Sequence, residues 1–213
     1  TGILADAART LNRSQIVGCD RLSRSPLALY NSAVVVTPDG RIAGIGDKRF
    51  LAPLERLTPL ERMIDPSGVR ARTEFSSAHR SGVATLPTGC RVALGVCHDV
   101  CFVAWSRDFR SGDIHPDFLV CCSNTRFDPS GRGAAFMLAM TRLRAVESRR
   151  SIVTCGINGP VTVVNGTGDL LFNTRNVSTD AALAERMRIQ STGNIGIGTT
   201  APARLVHLEG SGT

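Results

Sequence analysis

Lysine, tryptophan and tyrosine each occur once in the 213 residues, and aromatic residues make up only 5% of the chain. Aliphatic side chains must therefore fill most of any core. No stretch of about 18 predominantly apolar residues occurs, which excludes a membrane-spanning helix within this sequence. The longest uncharged run, Ser151 to Gly168, is broken by Asn, Gly, Pro and Thr. No basic segment followed by an apolar one opens the chain, so no signal peptide is expected. None of the seven cysteines forms Cys-x-x-Cys, and their number is odd. Cys121 and Cys122 are adjacent and would face opposite sides of a strand. The cysteines thus read as small apolar core residues and not as a disulfide framework or zinc site. No metal and no cofactor is expected.

What is abundant is arginine. Of 25 basic residues 24 are Arg, against 18 acidic residues, giving a net charge of +7. Such a balance permits contact with phosphates. The positive residues are scattered along the chain, however, which reads as a solvated Arg-rich surface and against a nucleic-acid partner. With 42% hydrophobic and 20% charged residues, the composition is that of a folded domain.

Apolar positions at helical spacing (Ile3, Leu4, Ala7, Ala8, Leu11) predict a helix over Gly2 to Leu11. Gln15 to Cys19 predicts a strand. Tyr30 to Thr37 is β-branched and ends at Pro38-Asp39-Gly40, a turn signal; Ile42 to Ile45 would complete a hairpin. Arg91 to Cys97 and Asp117 to Cys122 are compact apolar runs of buried-strand type. Ala134 to Arg150 is the best helix, with Arg142, Arg144, Arg149 and Arg150 on a solvated face and Arg144 paired with Glu147. Ile152 to Cys155 and Val161 to Val164 flank a Gly-Pro turn. This alternation of strand, helix and strand favours an α/β layered domain. After about Gly166 the texture turns to Asn, Thr, Ser and Gly with short alternating pieces, a thin β-rich module too small to bury its own core. The sequence therefore divides at 1–166 and 167–213.

Cys97 ends an apolar strand and is followed by His98-Asp99. A thiol there sits where a nucleophile is common and where the next backbone N–H groups can stabilise an oxyanion. Lys48 stands out as the lone Lys, a compact charge able to approach a developing oxyanion in a way that the broad fork of Arg does not. A Cys97–His98 dyad would need a sharp turn at Cys97, because neighbours on a strand point apart. A zinc site from Cys97, His98, Cys101 and His115 fits no standard spacing.

The order of several motifs resembles a known family. Tyr30-Asn31-Ser32-Ala33, Pro38-Asp39-Gly40 and Asp47-Lys48-Arg49-Phe50-Leu51-Ala52-Pro53 are similar to the segment leading into the catalytic Lys of the apolipoprotein N-acyltransferases, members of the carbon–nitrogen hydrolase (nitrilase) superfamily. Arg91 to Asp99 resembles the strand that delivers that family's nucleophile. Asp117-Phe118-Leu119-Val120 with Asn124 and Phe127, and Leu143 to Arg150, follow in the family's order. The resemblance covers about residues 3 to 165. It implies an α/β fold, part of the α-β-β-α sandwich of carbon–nitrogen hydrolase type, with a small β-rich C-terminal tail. It also implies acyl transfer from a phospholipid donor to the N-terminus of a lipoprotein acceptor through a Cys thioester. Cys97 would be the nucleophile, Lys48 its electrostatic partner, and Asp99 and Glu55 the carboxylates nearby. The implied location is the periplasmic face of the bacterial inner membrane.

The sequence departs from the family pattern. The family's base Glu lies upstream of the segment matched by Gly2 to Leu11. Glu55 comes one position early and without the Gly before it, and Asp99 replaces a Glu. The Asn-Asp-x-Trp-Phe motif is reduced to Asn124-Thr125-Arg126-Phe127, and Ala-Asn-Thr-Gly to Gly156-Ile157-Asn158-Gly159. A divergent, truncated copy with weak or no activity is the expectation. Within the tail, Glu185 to Ile189 and Gly193 to Pro202 are similar to repeats of phage tail-fibre and tailspike proteins. That second resemblance implies an oligomer, a homotrimer through the C-terminal segment, and a virion-tail setting as the alternative.

Overall fold

The computed structural model describes residues 2–25, 27–52, 55, 75–79, 81–109, 115–123, 132–156, 162–174 and 184–210. Helix α1 (Gly2–Leu11) opens the chain. Strands β1 (Gln15–Arg24), β2 (Leu27–Val36) and β3 (Ile42–Asp47) form an antiparallel three-stranded sheet. The Pro38-Asp39-Gly40 turn closes the β2–β3 hairpin as expected: Gly40 takes a φ of +83° and donates its N–H to the Thr37 carbonyl.

The second sheet begins with β4 (Gly82–Thr85), β5 (Arg91–Val96), β6 (Phe118–Ser123), β7 (Ser151–Gly156) and β8 (Thr162–Val164), and continues through β9 (Leu170–Thr174), β10 (Ala184–Ile189), β11 (Ile195–Ile197) and β12 (Val206–Leu208). These nine strands lie in sequence order across the sheet. Only β5–β6–β7 and β11–β12 pair parallel. A 3-10 turn (Cys97–Cys101) and helix α2 (Val103–Arg107) follow β5, and helix α3 (Arg132–Ser148) links β6 to β7.

Period-2 alternation sorts the side chains into layers. On β2, Ala33 and Val35 face the second sheet, while Val34 and Val36 face α1 and meet Ala8. On β5 and β6, Val92, Leu94, Val96, Val120 and Cys122 fill the space between the sheets. Ala93, Leu119 and Cys121 point the other way, into a cluster with Trp105, Phe109, Ala145 and Ile152. The layers are therefore helix, sheet, sheet, helix. Strands covered on both faces read as continuous apolar runs, which is why Val92-Ala93-Leu94-Gly95-Val96 and Phe118 to Cys122 were legible as buried. The sheets meet closely at Gly46, where a Cβ would stand 2.5 Å from that of Leu94. On the helical side Gly95 makes room for the Trp105 indole in the same manner.

Two sequence readings need correction. Strand β4 and helix α2 were not foreseen. Arg144 does not lie on a solvated face: it is buried, bonded to Glu147 at 2.8 Å and reaching the Cys101 carbonyl, while Glu147 also accepts the Ser106 hydroxyl. The exposed positions of α3 include the apolar Phe136, Leu143 and Val146. Across the division near Gly166 the sheet runs on without a break, since β9 pairs with β8 through Val163–Leu171 and Val164–Leu170. Arg142 of α3 donates to the carbonyls of Gly168 and Gln190, fastening the helix to the later strands.

Candidate active site

The site candidates gather where β3 and β5 end, at the seam between the two sheets. Lys48 follows β3 directly. Its own N–H donates to the Asn31 carbonyl and its carbonyl accepts from Ala78. The preceding Asp47 is held by a bidentate contact from Arg21 (2.6 and 3.0 Å) and by the Ser32 hydroxyl at 2.6 Å. The backbone that launches Lys48 is thus fixed on both sides.

The Lys48 side chain is fully buried, and its ammonium meets both oxygens of Glu55, at 2.8 and 2.7 Å. An unpaired ammonium in such a place would cost several kcal/mol, so the pairing is what allows a charged Lys to be there. Glu55 is itself positioned by the Ala52 N–H, 2.5 Å from Oε2.

Asp99 lies on the other side of the seam, buried in the 3-10 turn. Its Oδ1 accepts from the backbone N–H groups of Arg49 (3.0 Å) and Phe50 (2.8 Å), and its Oδ2 from that of Val96 (2.9 Å). One carboxylate therefore clasps the loop after Lys48 to the residue before Cys97. The bond to Val96 is half of a capping box, an acidic side chain at the third position returning to the cap N–H. Lys48 acts electrostatically on Asp99 and on the thiol of Cys101, four residues beyond Cys97. Two further contacts tighten the seam: Arg49 bonds Asp108 at 2.5 Å, and Phe50 stacks on Phe102 with ring centroids 4.3 Å apart.

Cys97 takes a φ of +47°, a conformation that disfavours any residue with a Cβ. Strict alternation would send Cys97 to the helical side, opposite Val96. The sharp turn instead sets it against the same inter-sheet cluster that Val96 enters. Its carbonyl accepts the Cys121 thiol at 3.6 Å. The turn that a strand-end nucleophile requires is present. His98 does not profit from it, because its ring lies beside Phe102 at 5.9 Å. No group of three or more metal-ligating side chains occurs among the described residues.

All four predicted site residues thus border one seam, in different roles. Lys48 and Glu55 are an ion pair, Asp99 holds backbone, and Cys97 occupies the strained turn. Sequence reading missed the contributions of Arg49, Phe50, Phe102 and Asp108. Nothing in the spacing marks Asp108 or Phe102, while the adjacency of Arg49 and Phe50 to Lys48 was a usable signal. Asn124, Phe127 and Asn158 lie outside the described residues.

Known structures share this architecture. A CN-hydrolase superfamily protein from Xanthomonas campestris superposes with a TM-score of 0.58 at 17% identity, over 86% of this chain and 63% of that one. A carbon–nitrogen hydrolase from Helicobacter pylori gives 0.58 at 16% identity, over 86% and 62%. An amidase from Nesterenkonia, seen with acrylamide added to its active-site cysteine, gives 0.56 at 14% identity, over 89% and 63%. The fold is that of the carbon–nitrogen hydrolase superfamily.

By sequence the chain is similar to apolipoprotein N-acyltransferases. The apolipoprotein N-acyltransferase of Rhizobium etli is 26% identical over 152 residues, 69% of this chain and 28% of that protein. Those of Geobacter metallireducens and Shewanella oneidensis are 27% and 25% identical over 169 and 181 residues, 76% and 78% of this chain and 32% and 34% of theirs. The chain spans about a third of the length of these relatives. No family model matches it. The tail-fibre resemblance of Glu185 to Pro202 has no counterpart among the proteins named above.

Two predictions follow from the charges at the seam of this carbon–nitrogen hydrolase fold. Glu55→Ala strands the buried Lys48 ammonium, and the expected loss of stability is about 3 kcal/mol, the lower end for a broken buried pair because Glu55 reaches solvent. An unchanged urea midpoint would mean that the pair does not hold Lys48.

The second concerns Asp99. Burial raises its carboxyl above the ordinary 3.8, and its three backbone donors and Lys48 oppose that rise. A raised value in the folded state means that the folded protein binds the proton more tightly than the unfolded chain does. Its contribution to stability is full below 3.8 and is lost as pH rises through the raised value. Relative to Asp99→Asn, which does not titrate, the wild type should therefore lose stability across that window. Urea midpoints taken stepwise from about pH 3.5 upward measure the difference, and a gap that widens in favour of wild type with rising pH would contradict the sign.

Proposed function

We propose that this chain is an acyl-transfer domain of apolipoprotein N-acyltransferase type, with Cys97 as nucleophile and Lys48 as its electrostatic partner. The observation that carries the reading is the strained turn at Cys97, clasped through Asp99 to the loop that bears the buried Lys48. In the proposed reaction the Cys97 sulfur attacks the ester carbonyl of a phospholipid. A carbon–sulfur bond forms, the ester carbon–oxygen bond breaks, and the lysophospholipid leaves with a proton. The amine of a lipoprotein N-terminus then attacks the thioester, an amide forms, and the Cys97 sulfur is released. The buried ammonium of Lys48 would stabilise the oxyanion in both steps. Envelope localisation, at the periplasmic face of the inner membrane, belongs to the same reading. Among the described residues no helix is long and apolar enough to cross a membrane.

The same geometry argues for weak activity. Cys97 must lose a proton to attack, and a general base typically contributes about 10²- to 10⁴-fold. The two candidate carboxylates are already committed, Glu55 to Lys48 and Asp99 to three backbone N–H groups. The expected result is slow alkylation of Cys97 by iodoacetamide at neutral pH and no accumulated acyl-enzyme with phospholipid vesicles, both read by mass spectrometry. Rapid, stoichiometric acylation at Cys97, lost in Lys48→Ala, would restore full activity to the proposal. Acylation at another cysteine would remove Cys97 from it.

A second reading rests on the far edge of the large sheet. β12 is an edge strand, and Leu205, Val206 and Leu208 there are 71%, 51% and 67% exposed. An open edge flanked by apolar side chains is a template for pairing with another chain. We infer a structural role for the tail, in which these edges associate between copies, a homotrimer being the form that the tail-fibre resemblance implies. Sedimentation of the whole chain should then show association that Val206→Lys abolishes. A monomer at every concentration would end this reading without touching the Cys97 assignment.

A further inference from the structure

Two cysteines that the acyl-transfer reading does not use lie one residue row beneath Cys97. In the register of the parallel strands, Val96 stands opposite Cys122 and Cys122 opposite Cys155. Successive residues on a strand face opposite sides, so Cys121 turns into the helical cluster while Cys122 turns between the sheets, where Cys155 packs beside it. The two sulfurs are 3.5 Å apart and in hydrogen-bond contact. Opposed residues on neighbouring strands are about 4.8 Å apart, inside the Cα separation that a disulfide tolerates. Closure therefore needs the sulfurs to approach, with no shift of register.

The pair is not symmetric. Cys122 is buried at 6% exposure, whereas Cys155 is partly exposed.

We propose that Cys122 and Cys155 form an oxidisable dithiol, closed to a disulfide by a hydroperoxide, with Cys155 as the attacking thiol and Cys122 as the resolving one. In the first step the Cys155 sulfur attacks a peroxide oxygen. A sulfur–oxygen bond forms, the oxygen–oxygen bond breaks, and with hydrogen peroxide the departing hydroxide leaves as water once protonated. In the second step the Cys122 sulfur attacks the sulfenic sulfur of Cys155. The sulfur–sulfur bond forms, the sulfur–oxygen bond breaks, and a second water departs. Two thiols and one hydrogen peroxide become one disulfide and two waters.

The electrostatics of the contact agree with this order. The contact between the two sulfurs draws the Cys155 value down to about 7 despite burial, and the same contact together with burial raises Cys122 far above the ordinary range. The group that ionises first is the one that is partly exposed. Cys121, fully buried, is raised by that burial and points away.

The test uses the whole chain, reduced, desalted and exposed to stoichiometric hydrogen peroxide. Remaining thiols are blocked with N-ethylmaleimide before digestion and mass spectrometry. The expected product is one cross-linked peptide pair that has lost two hydrogens, with tandem spectra placing the bond at Cys122 and Cys155, reversed by dithiothreitol, while the other five cysteines carry the blocking group. In Cys122→Ser the chemistry should stop at a sulfenic acid on Cys155, trapped by dimedone. Dimedone added during oxidation of the wild type gives the same information if that variant does not fold. Blocking-group labelling of both Cys122 and Cys155 while Cys97 or another cysteine is oxidised would overturn the proposal. So would a bond to Cys121, or trapping at Cys122 in preference to Cys155.

Discussion

The carboxylate of Asp99 is the constraint on which the rest of the site depends. It is one side chain, buried where a charge is costly, and it is tolerated there because three backbone N–H groups converge on it. Two of the donors belong to the small sheet's exit loop and one to β5 of the large sheet. The bond network therefore does what packing between sheets does not, which is to fix the ends of two strands relative to one another. Layers packed by alternation can slide by small amounts. A carboxylate shared between Val96 and the Arg49–Phe50 pair cannot accommodate such a slide without leaving a donor unpaired. The strained turn at Cys97 persists because both of its sides are held in this way.

The same constraint explains the arrangement of charges around it. Arg49 could have competed with Lys48 for a carboxylate, but its side chain is drawn off to Asp108 and lies over the Phe50 ring. Arg21 is likewise taken up by Asp47 and by the Tyr30 ring. In a chain with 24 Arg, holding each nearby guanidinium in a bidentate or stacked contact leaves a compact ammonium as the buried cation at the seam. Lys48 meets Glu55 as a compact point charge and not as a planar fork.

Much of the fold was legible because burial on two faces leaves a plain mark. β5 and β6 appear as compact apolar runs, β2 through its β-branched end at Ala33 to Val36, and α1 through its spacing. β4 left no such mark: four residues, Gly82 to Thr85, are a strand because β5 pairs with them, and not through any pattern of their own. The burial of Arg144 was misread for a related reason. α3 is apolar on several sides, so sequence period alone could not say which side turns inward, and the side that does carries Thr141, Arg144, Ala145 and Ser148. At the site, Cys97 and Lys48 were visible by position and by rarity, whereas the part played by Asp99 depends on bonds to residues 49 and 50, about fifty positions away, which no local spacing encodes. The texture change near Gly166 was real but did not mark a break in the sheet, since backbone pairing from β8 to β9 is indifferent to the polarity of the side chains that it carries.

The commitment of both carboxylates also bears on how far the acyl-transfer reading can extend. For Glu55 to accept the proton of Cys97 it would have to leave an ammonium that is fully buried, and an uncompensated buried charge costs several kcal/mol. For Asp99 to do so it would have to give up backbone donors that fix the very turn on which Cys97 sits. Either route gains a base by dismantling the geometry that makes a base useful. A carboxylate able to serve Cys97 while Lys48 and the turn stay in place must therefore be a third one, supplied from outside the pair described here. The proposed acyl transfer therefore turns on which further group takes the Cys97 proton, and not on Glu55 or Asp99.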